Sequence, residues 1–480
     1  MKTTLKTFAA LTLSLLWLGC ASTDPQSQAL TDMPTPSPDE QTQDSPEDDD
    51  NPPNNTPTPE PAPIDEAAVA EIAQLLEQWT EQQDSGLAAA VYYGGQPYIM
   101  GGWGMADDAA EVGADTIFET GSVTKMFTAA LVHDAVERGE LGWQDPVSRW
   151  LTDFEVSDAI TVEHLVLQTS GLFNYTSAPE FQRRTNEPWT HQEIRALFES
   201  QPLAFAPGTR FDYSNSNYYL LGLILEAAAG SPFNTLLRDR ITAPLGMERT
   251  GVCDIDPWTM PRAQGYSDGL VGRGPANSVH MSAPYAAGAI CSTATDLSIF
   301  ARAFYKGRWF SPDALASPTV LTNNGLPSPY TFATFVGRMN WQGLLSHGGN
   351  ITGFTAFVGH FPQHDLTIVL LNNLNHSNLA SIAANILQSL VDVERPTHTG
   401  SPTAQEQARW TGRYSAPGLP PIDIEASADR VDLKTQGTTF ALRRVGSNDF
   451  ETIQPLLRIS ILDGLMELEQ HGHLHRLLKE

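Results

Sequence analysis

The chain has 480 residues, with 28 Lys and Arg against 56 Asp and Glu, a formal net charge of −28. That length exceeds one ordinary domain and can bury a large core, while the acidic balance excludes nucleic acid as a partner, because binding phosphate needs a basic surface. The charge is also uneven. No Lys or Arg stands between Lys6 and Lys125, and Asp and Glu crowd the stretch before Glu66, so much of the negative charge belongs to a tail.

In chain order, Lys2 and Lys6 precede a mostly apolar run, Phe8 to Leu18, too short to anchor across a bilayer. This reads as an export signal. It ends in Trp17-Leu18-Gly19-Cys20-Ala21, which resembles a bacterial lipobox, although Trp17 stands where that pattern prefers Leu. The resemblance implies a lipid on Cys20 that anchors the chain to the cell envelope, facing the periplasm or the exterior. A plain secretory signal containing a Cys is the other reading. Residues 1–20 are thus signal. Residues 21–63 are Pro, Asp, Glu, Thr, Ser, Gln and Asn with almost no large apolar side chain, a composition that cannot offset its ordering entropy. They predict a disordered tether.

Val69, Ile72, Leu75, Leu76 and Trp79 recur at helical spacing and predict an amphipathic helix over 65–83. Leu87 to Tyr93, Gly94-Gly95 and Tyr98 to Trp103 predict a hairpin. Helical patterns follow, as at Met126 to Val136 and Tyr218 to Ala229. A second hairpin, Thr355 to Phe361 and Leu366 to Leu371, precedes a helix at 378–391. Hairpins at both ends, each beside a helix, predict an α+β unit over 64–395: an antiparallel sheet flanked by helices, plus a helical lobe. After a linker around Pro396 to Pro402, short β-like runs predict a small β-rich domain over 403–480. Cys253 and Cys291 are the remaining cysteines; an exported protein could bridge them, or they could sit unpaired as small apolar fillers.

Three short motifs could carry chemistry. Ser122-Val123-Thr124-Lys125 opens a helix whose apolar side holds Met126, Phe127, Ala130 and Leu131. A helix start offers unpaired N–H groups and a positive dipole end, and Lys125 one turn on lies beside the Ser122 hydroxyl. A lysine can take the serine proton only if burial or nearby positive charge favours its neutral form. Tyr213-Ser214-Asn215 sits at a turn into a helix, where a phenol near an ammonium could relay protons. His347-Gly348-Gly349-Asn350 enters the last hairpin, where paired glycines permit close approach and the Asn350 N–H could share an oxyanion hole with that of Ser122. Each motif alone reads equally as a helix cap, a core tyrosine or a glycine bulge.

Taken in order, the three motifs are similar to those of the serine β-lactamase-related family, which includes class C β-lactamases, D-alanyl-D-alanine carboxypeptidases and some esterases. Phe118-Glu119-Thr120-Gly121-Ser122, Thr169-Ser170-Gly171-Leu172 and Gly288 to Leu297 agree. The resemblance covers about residues 65–393. It implies the β-lactamase/penicillin-binding-protein fold, Ser122 as acylated nucleophile, Lys125 and Tyr213 as proton-transfer pair, and Asn215 as an organising hydrogen-bonder. His347, Gly349 and Asn350 would line the cleft. The C-terminal domain resembles the lipocalin-like domain some relatives append. His347 stands where many relatives carry Lys, so a permanent cation gives way to a group near half-charged at its reference pKa of about 6.5. The reading that follows is a D-Ala-D-Ala carboxypeptidase-like peptidase or esterase of the envelope, rather than an efficient β-lactamase. A non-catalytic peptidoglycan- or protein-binding lipoprotein is the rival from another class. The expected state is a monomer acting on a small-molecule or peptide substrate, with no cofactor and no metal.

Other candidates fail on context. Gly265-Tyr266-Ser267-Asp268-Gly269 matches G-x-S-x-G but lacks the strand and helix that motif requires. His360, His364 and His376 lack metal-site spacing, and His360 and His364 flank a hairpin turn where solvation is expected. His164 reads as a satisfied structural histidine. His471, His473 and His475 read as surface residues.

Overall fold

The computed structural model describes residues 64–154, 156, 158–255, 262–269, 272–317, 328–392, 401–416, 420–428, 430–435, 438–444, 449–451, 457–462, 465–470 and 473–480. The signal, Cys20, the tether, most of the linker and His471 lie outside them, as do the side chains of His473 and His475. What is described belongs to one compact unit, Pro63–Glu480.

Seven antiparallel strands form the central sheet, in the order Gln96–Trp103, Leu87–Tyr93, Leu366–Asn372, Phe354–Phe361, Gln342–Ile351, Thr334–Met339, Tyr330–Thr331. The N-terminal hairpin is thus sewn to the C-terminal one, with Leu87 opposite Asn372 and Tyr92 opposite Thr367. Side chains alternate across a strand, and both faces of this sheet are covered. Leu87, Ala89 and Val91 pack with Ile368 and Leu370 under the terminal helices Glu66–Gln83 and Leu379–Leu390. Ala88 and Ala90 pack with Val369 and Leu371 against the helical lobe. Apolar residues on both faces explain why these strands read as continuous hydrophobic runs.

In the lobe, helix Thr124–Glu137 is buried nearly all round, from Thr124 through Val132 and again at Ala135. Its N-terminus is held by a small sheet in which Phe118–Glu119 and Gly251–Val252 flank Ile290–Ser292. Thr120 donates through both N–H and hydroxyl to the Ile290 carbonyl (3.0 and 2.8 Å), and the Ile290 N–H returns a bond to the Thr124 hydroxyl (3.0 Å). Cys253 and Cys291 are bridged, clipping two of these strands. Tyr266–Gly269, the G-x-S-x-G stretch, is one strand of a two-stranded hairpin with Gly272–Pro275.

From Gly412 to Lys479 eight strands close into a barrel in sequential order. Its core gathers Trp410, Tyr414, Phe450, Ile459 and Met466, with Trp410 supplied by helix Ala404–Trp410. The last barrel strand, His473–Lys479, lies against sheet strand Thr334–Met339. One expectation fails here. His360 is buried against the Tyr305 ring (centroids 5.5 Å), and burial pushes its pKa down to about 4. It points into the sheet–lobe contact rather than out at the turn. His364 is half-buried, with Nε2 bonded to Gln342 Oε1 at 2.7 Å.

The sheet and the nucleophile turn meet without clearance at Gly349, where a Cβ would lie 1.9 Å from Thr120 O and 3.3 Å from Ser122 N. At neighbouring Gly348 the nearest atom would be Ala356 O at 3.7 Å, an ordinary contact. Gly349→Ala should therefore cost about 1–3 kcal/mol, the range for overpacking, with activity lost beyond the loss of folded protein. Gly348→Ala should be near neutral in both. Thermal denaturation and turnover of the pair check this; equal effects at the two positions would show that the strand does not abut the turn.

Candidate active site

Ser122 lies in the 3-10 turn Gly121–Val123, immediately ahead of helix Thr124–Glu137, and is part-exposed. Gly121 takes φ +52, a conformation that suits glycine, and its Cα faces the Asn350 backbone, where a Cβ would come to 3.1 Å from Asn350 N. The Ser122 and Asn350 backbones thus border the same space.

Lys125 follows one turn on and is 0% exposed, because the stretch of helix that carries it, Thr124 through Val132, is core on every side. Nζ lies 2.7 Å from Asn215 Oδ1, 2.8 Å from the Ala287 carbonyl and 3.1 Å from Ser122 Oγ. Burial holds its pKa well below the ordinary 10.5. Lys125 donates in all three contacts; once neutral, it can keep two N–H groups on Asn215 and Ala287, which at those atoms only accept, and turn its lone pair toward the Ser122 proton.

Tyr213 is half-buried, with its phenol near the Ser122 hydroxyl. Its ring lies 5.0 Å from Lys125 Nζ, stacked with Phe335 (6.2 Å, 20°) and edge-on to Tyr330 (5.9 Å, 89°). Burial raises the phenol above its ordinary 10. A charged Lys125 would draw this proton off; in the structure the amine favours neutrality and the phenol keeps its proton. Asn215 ties the parts together, accepting from Lys125 through Oδ1 and donating from Nδ2 to Asn174 Oδ1 (3.3 Å) and Thr176 Oγ1 (3.2 Å).

His347 departs from expectation. It is 1% exposed, walled by Tyr330, Phe335 and the Tyr213 ring, and does not line the cleft. Its Nδ1 lies 2.7 Å from the Gly348 carbonyl, which can only accept, so that nitrogen carries the proton; Nε2 lies 3.4 Å from the Tyr330 hydroxyl. Burial first, then the Lys125 charge, pushes its pKa down to about 3. It is a neutral wall residue rather than a half-charged one, because its strand directs it away from solvent into an aromatic cluster.

On the open side of Ser122 is a cleft of about 270 Å³. Ser122, Asn215 and Asn350 line it; Phe181, Val279 and Pro284 give the lining apolar character, while Thr176, Thr185 and Asn375 add hydroxyls and a carboxamide. His376, left aside in the sequence, also reaches this cleft, at φ +54. The Ala287 carbonyl and the walls escaped sequence reading because a backbone oxygen and scattered apolar side chains carry no motif. Among the described residues no cluster of three or more His, Cys, Asp or Glu could hold a metal ion.

Residues 69–392 match the beta-lactamase family. Penicillin-binding protein 4* of Bacillus subtilis is 28% identical over 280 residues, covering 54% of this chain and 61% of that protein. The D-aminopeptidase of Gluconobacter oxydans is 28% identical over 332 residues, covering 66% of this chain and 62% of that protein. The match thus spans about three fifths of either relative's length. The solved D-amino acid amidase from Ochrobactrum anthropi SV3 shares the fold at TM-score 0.60 and 24% identity, over 67% of this chain and 98% of that one. With two thirds of its length matched to the family model, the chain belongs to the beta-lactamase family, whose wider superfamily is one of serine hydrolases.

Proposed function

We propose that this chain is a serine hydrolase that cleaves small peptides, amides or esters through an acyl-enzyme on Ser122. One observation carries the reading: a buried, neutral-favouring amine 3.1 Å from a part-exposed serine hydroxyl that also meets a protonated phenol. As Ser122 Oγ bonds to the substrate carbonyl carbon, its proton passes to Lys125. The oxyanion forms beside the Ser122 and Asn350 N–H groups. Tyr213 gives its proton to the departing nitrogen or oxygen as the C–N or C–O bond breaks, and recovers one from the Lys125 ammonium. Water then attacks the ester by the reverse relay.

The cleft supports a small acyl group with an apolar side chain against Phe181, Val279 and Pro284. Likeness to a D-aminopeptidase and a penicillin-binding protein supports amide bonds, including D-Ala-D-Ala-type peptides, as targets. With a buried, neutral His347 where a cation could have stood, efficient β-lactam hydrolysis is the less supported reading. Lys2 to Cys20 supports export and lipid anchoring at the cell envelope, and the tether would let the domain reach beyond the membrane surface.

Fluorophosphonate or fluorescent penicillin should label the protein, and Ser122→Ala should remove both label and turnover of a p-nitrophenyl ester. Tyr213→Phe should cost on the order of a hundredfold in kcat. Labelling that survives Ser122→Ala refutes the assignment; absence of label with every such probe favours a binding protein.

The pKa shifts separate two acid effects. Lys125 must lose its proton to act, so kcat/KM should rise with pH through a limb centred below 10.5. His347 is neutral in the fold down to about pH 3, whereas in the unfolded chain it gains a proton below 6.5. Its share of stability is therefore intact above pH 6.5 and is lost as pH falls toward 3, at up to about 1.4 kcal/mol per unit. His347→Gln should flatten the loss of thermal stability between pH 6.5 and 4 and leave the rate limb in place. A limb that moves with this substitution would show the imidazole titrating in the reaction.

A further inference from the structure

Tyr213 stands in a turn with no regular hydrogen-bond ladder of its own, yet its phenol must be held at the Ser122 hydroxyl. The residues on either side of it are both tied to one distant residue, Gln168. The Asp212 N–H donates to the Gln168 backbone carbonyl at 2.9 Å, and the Ser214 N–H donates to Gln168 Oε1, also at 2.9 Å. The same Oε1 receives the Asn217 side-chain amide, whose own Oδ1 accepts from the Ser170 hydroxyl. Gln168 is fully buried, so these bonds form without competing water.

The backbone of Gln168 shows what this arrangement costs. It follows helix Val162–Val166 at φ +60, a left-handed position where glycine usually closes a helix and a side chain is strained. A glycine would end the helix more cheaply, but it would supply no acceptor for Ser214 and Asn217. Strain at a buried residue whose side-chain oxygen carries two bonds to the Tyr213 turn and its helix points to the side chain as the reason for the residue.

We propose that Gln168 is a positioning residue for Tyr213: it clamps the chain on both sides of the tyrosine and so fixes the phenol over Ser122. The proposal rests on the acyl-enzyme reading above. Gln168 is not among the residues that line the cleft; it acts through the turn, and its side chain also neighbours Tyr330, which packs edge-on to the Tyr213 ring.

The test is turnover of p-nitrophenyl acetate by the full chain. Gln168→Gly suits φ +60 and keeps the carbonyl that holds Asp212, so it removes the Oε1 bonds together with the side chain's packing while leaving the backbone tie in place. Gln168→Asn also tolerates that conformation but is one methylene too short, guarding against a glycine variant that fails to fold. Each should lower kcat by about tenfold to a hundredfold, the usual effect of a small misplacement, with KM little changed. Gln168→Glu, which retains an oxygen at the same reach, should restore most of the loss. In a Tyr213→Phe background the glycine and asparagine changes should cost nothing further, because the group they position is gone. Wild-type kcat in the folded asparagine variant, or an equal loss with and without the phenol hydroxyl, would overturn the proposal. Turnover that survives Ser122→Ala would instead sink the acyl-enzyme reading, and this one with it.

Discussion

Keeping one amine dry is the condition on which the site depends. An ammonium buried in a protein core loses its hydration at a large cost, and the side chain answers by favouring its neutral form. Lys125 reaches that state because helix Thr124–Glu137 is surrounded: by helix Asn215–Ala229, by the 3-10 turn Tyr285–Ala287 and by the helix Ala294–Tyr305 whose Phe300 stacks on Phe127 at 3.7 Å. The acceptors left to it, Asn215 and the Ala287 carbonyl, satisfy two N–H groups and leave the third direction to Ser122. A nucleophile's base is thus made by packing rather than by another charge.

Holding the serine in register with that amine falls to the small sheet. Strand Ile290–Ser292 is paired on both sides, bridged through Cys291 to Cys253, and bonded through Ile290 to Thr120 and Thr124 on either side of Ser122. From the other direction strand Gln342–Ile351 presses Gly349 against Thr120. The turn is gripped from two sheets, and a close-packed interior transmits displacement from either.

Much of this was legible in the sequence. Period-2 and period-3.6 patterns located both hairpins and the helices at 66–83, 124–137, 215–229 and 379–390 within a few residues, because these elements bury whole faces. Ser122, Lys125, Tyr213 and Asn215 do converge, as their motifs suggested. What failed was side-chain direction. His347 and His360 were given to the cleft and to solvent, but strand alternation sends both inward, and position relative to a turn does not reveal which face of a two-sided sheet is covered. Gln168 left no trace for a different reason: its importance lies in a strained φ and in bonds to residues more than forty positions away, neither of which has a local pattern.

The neutrality of His347 completes the argument about the amine. A cation at that position would need a solvated or anionic partner, and its surroundings offer Tyr213, Tyr330 and Phe335 instead. Lys125 and His347 lie close enough for the charge of one to oppose the charge of the other. A permanent positive charge there could have depressed the Lys125 pKa electrostatically, as a second means to the neutral amine. With an uncharged imidazole in its place, desolvation alone does the work on Lys125. The basicity of the site is then set by how completely the lobe excludes water, so a substitution that admits water beside Lys125 would act on the reaction before it acted on the fold.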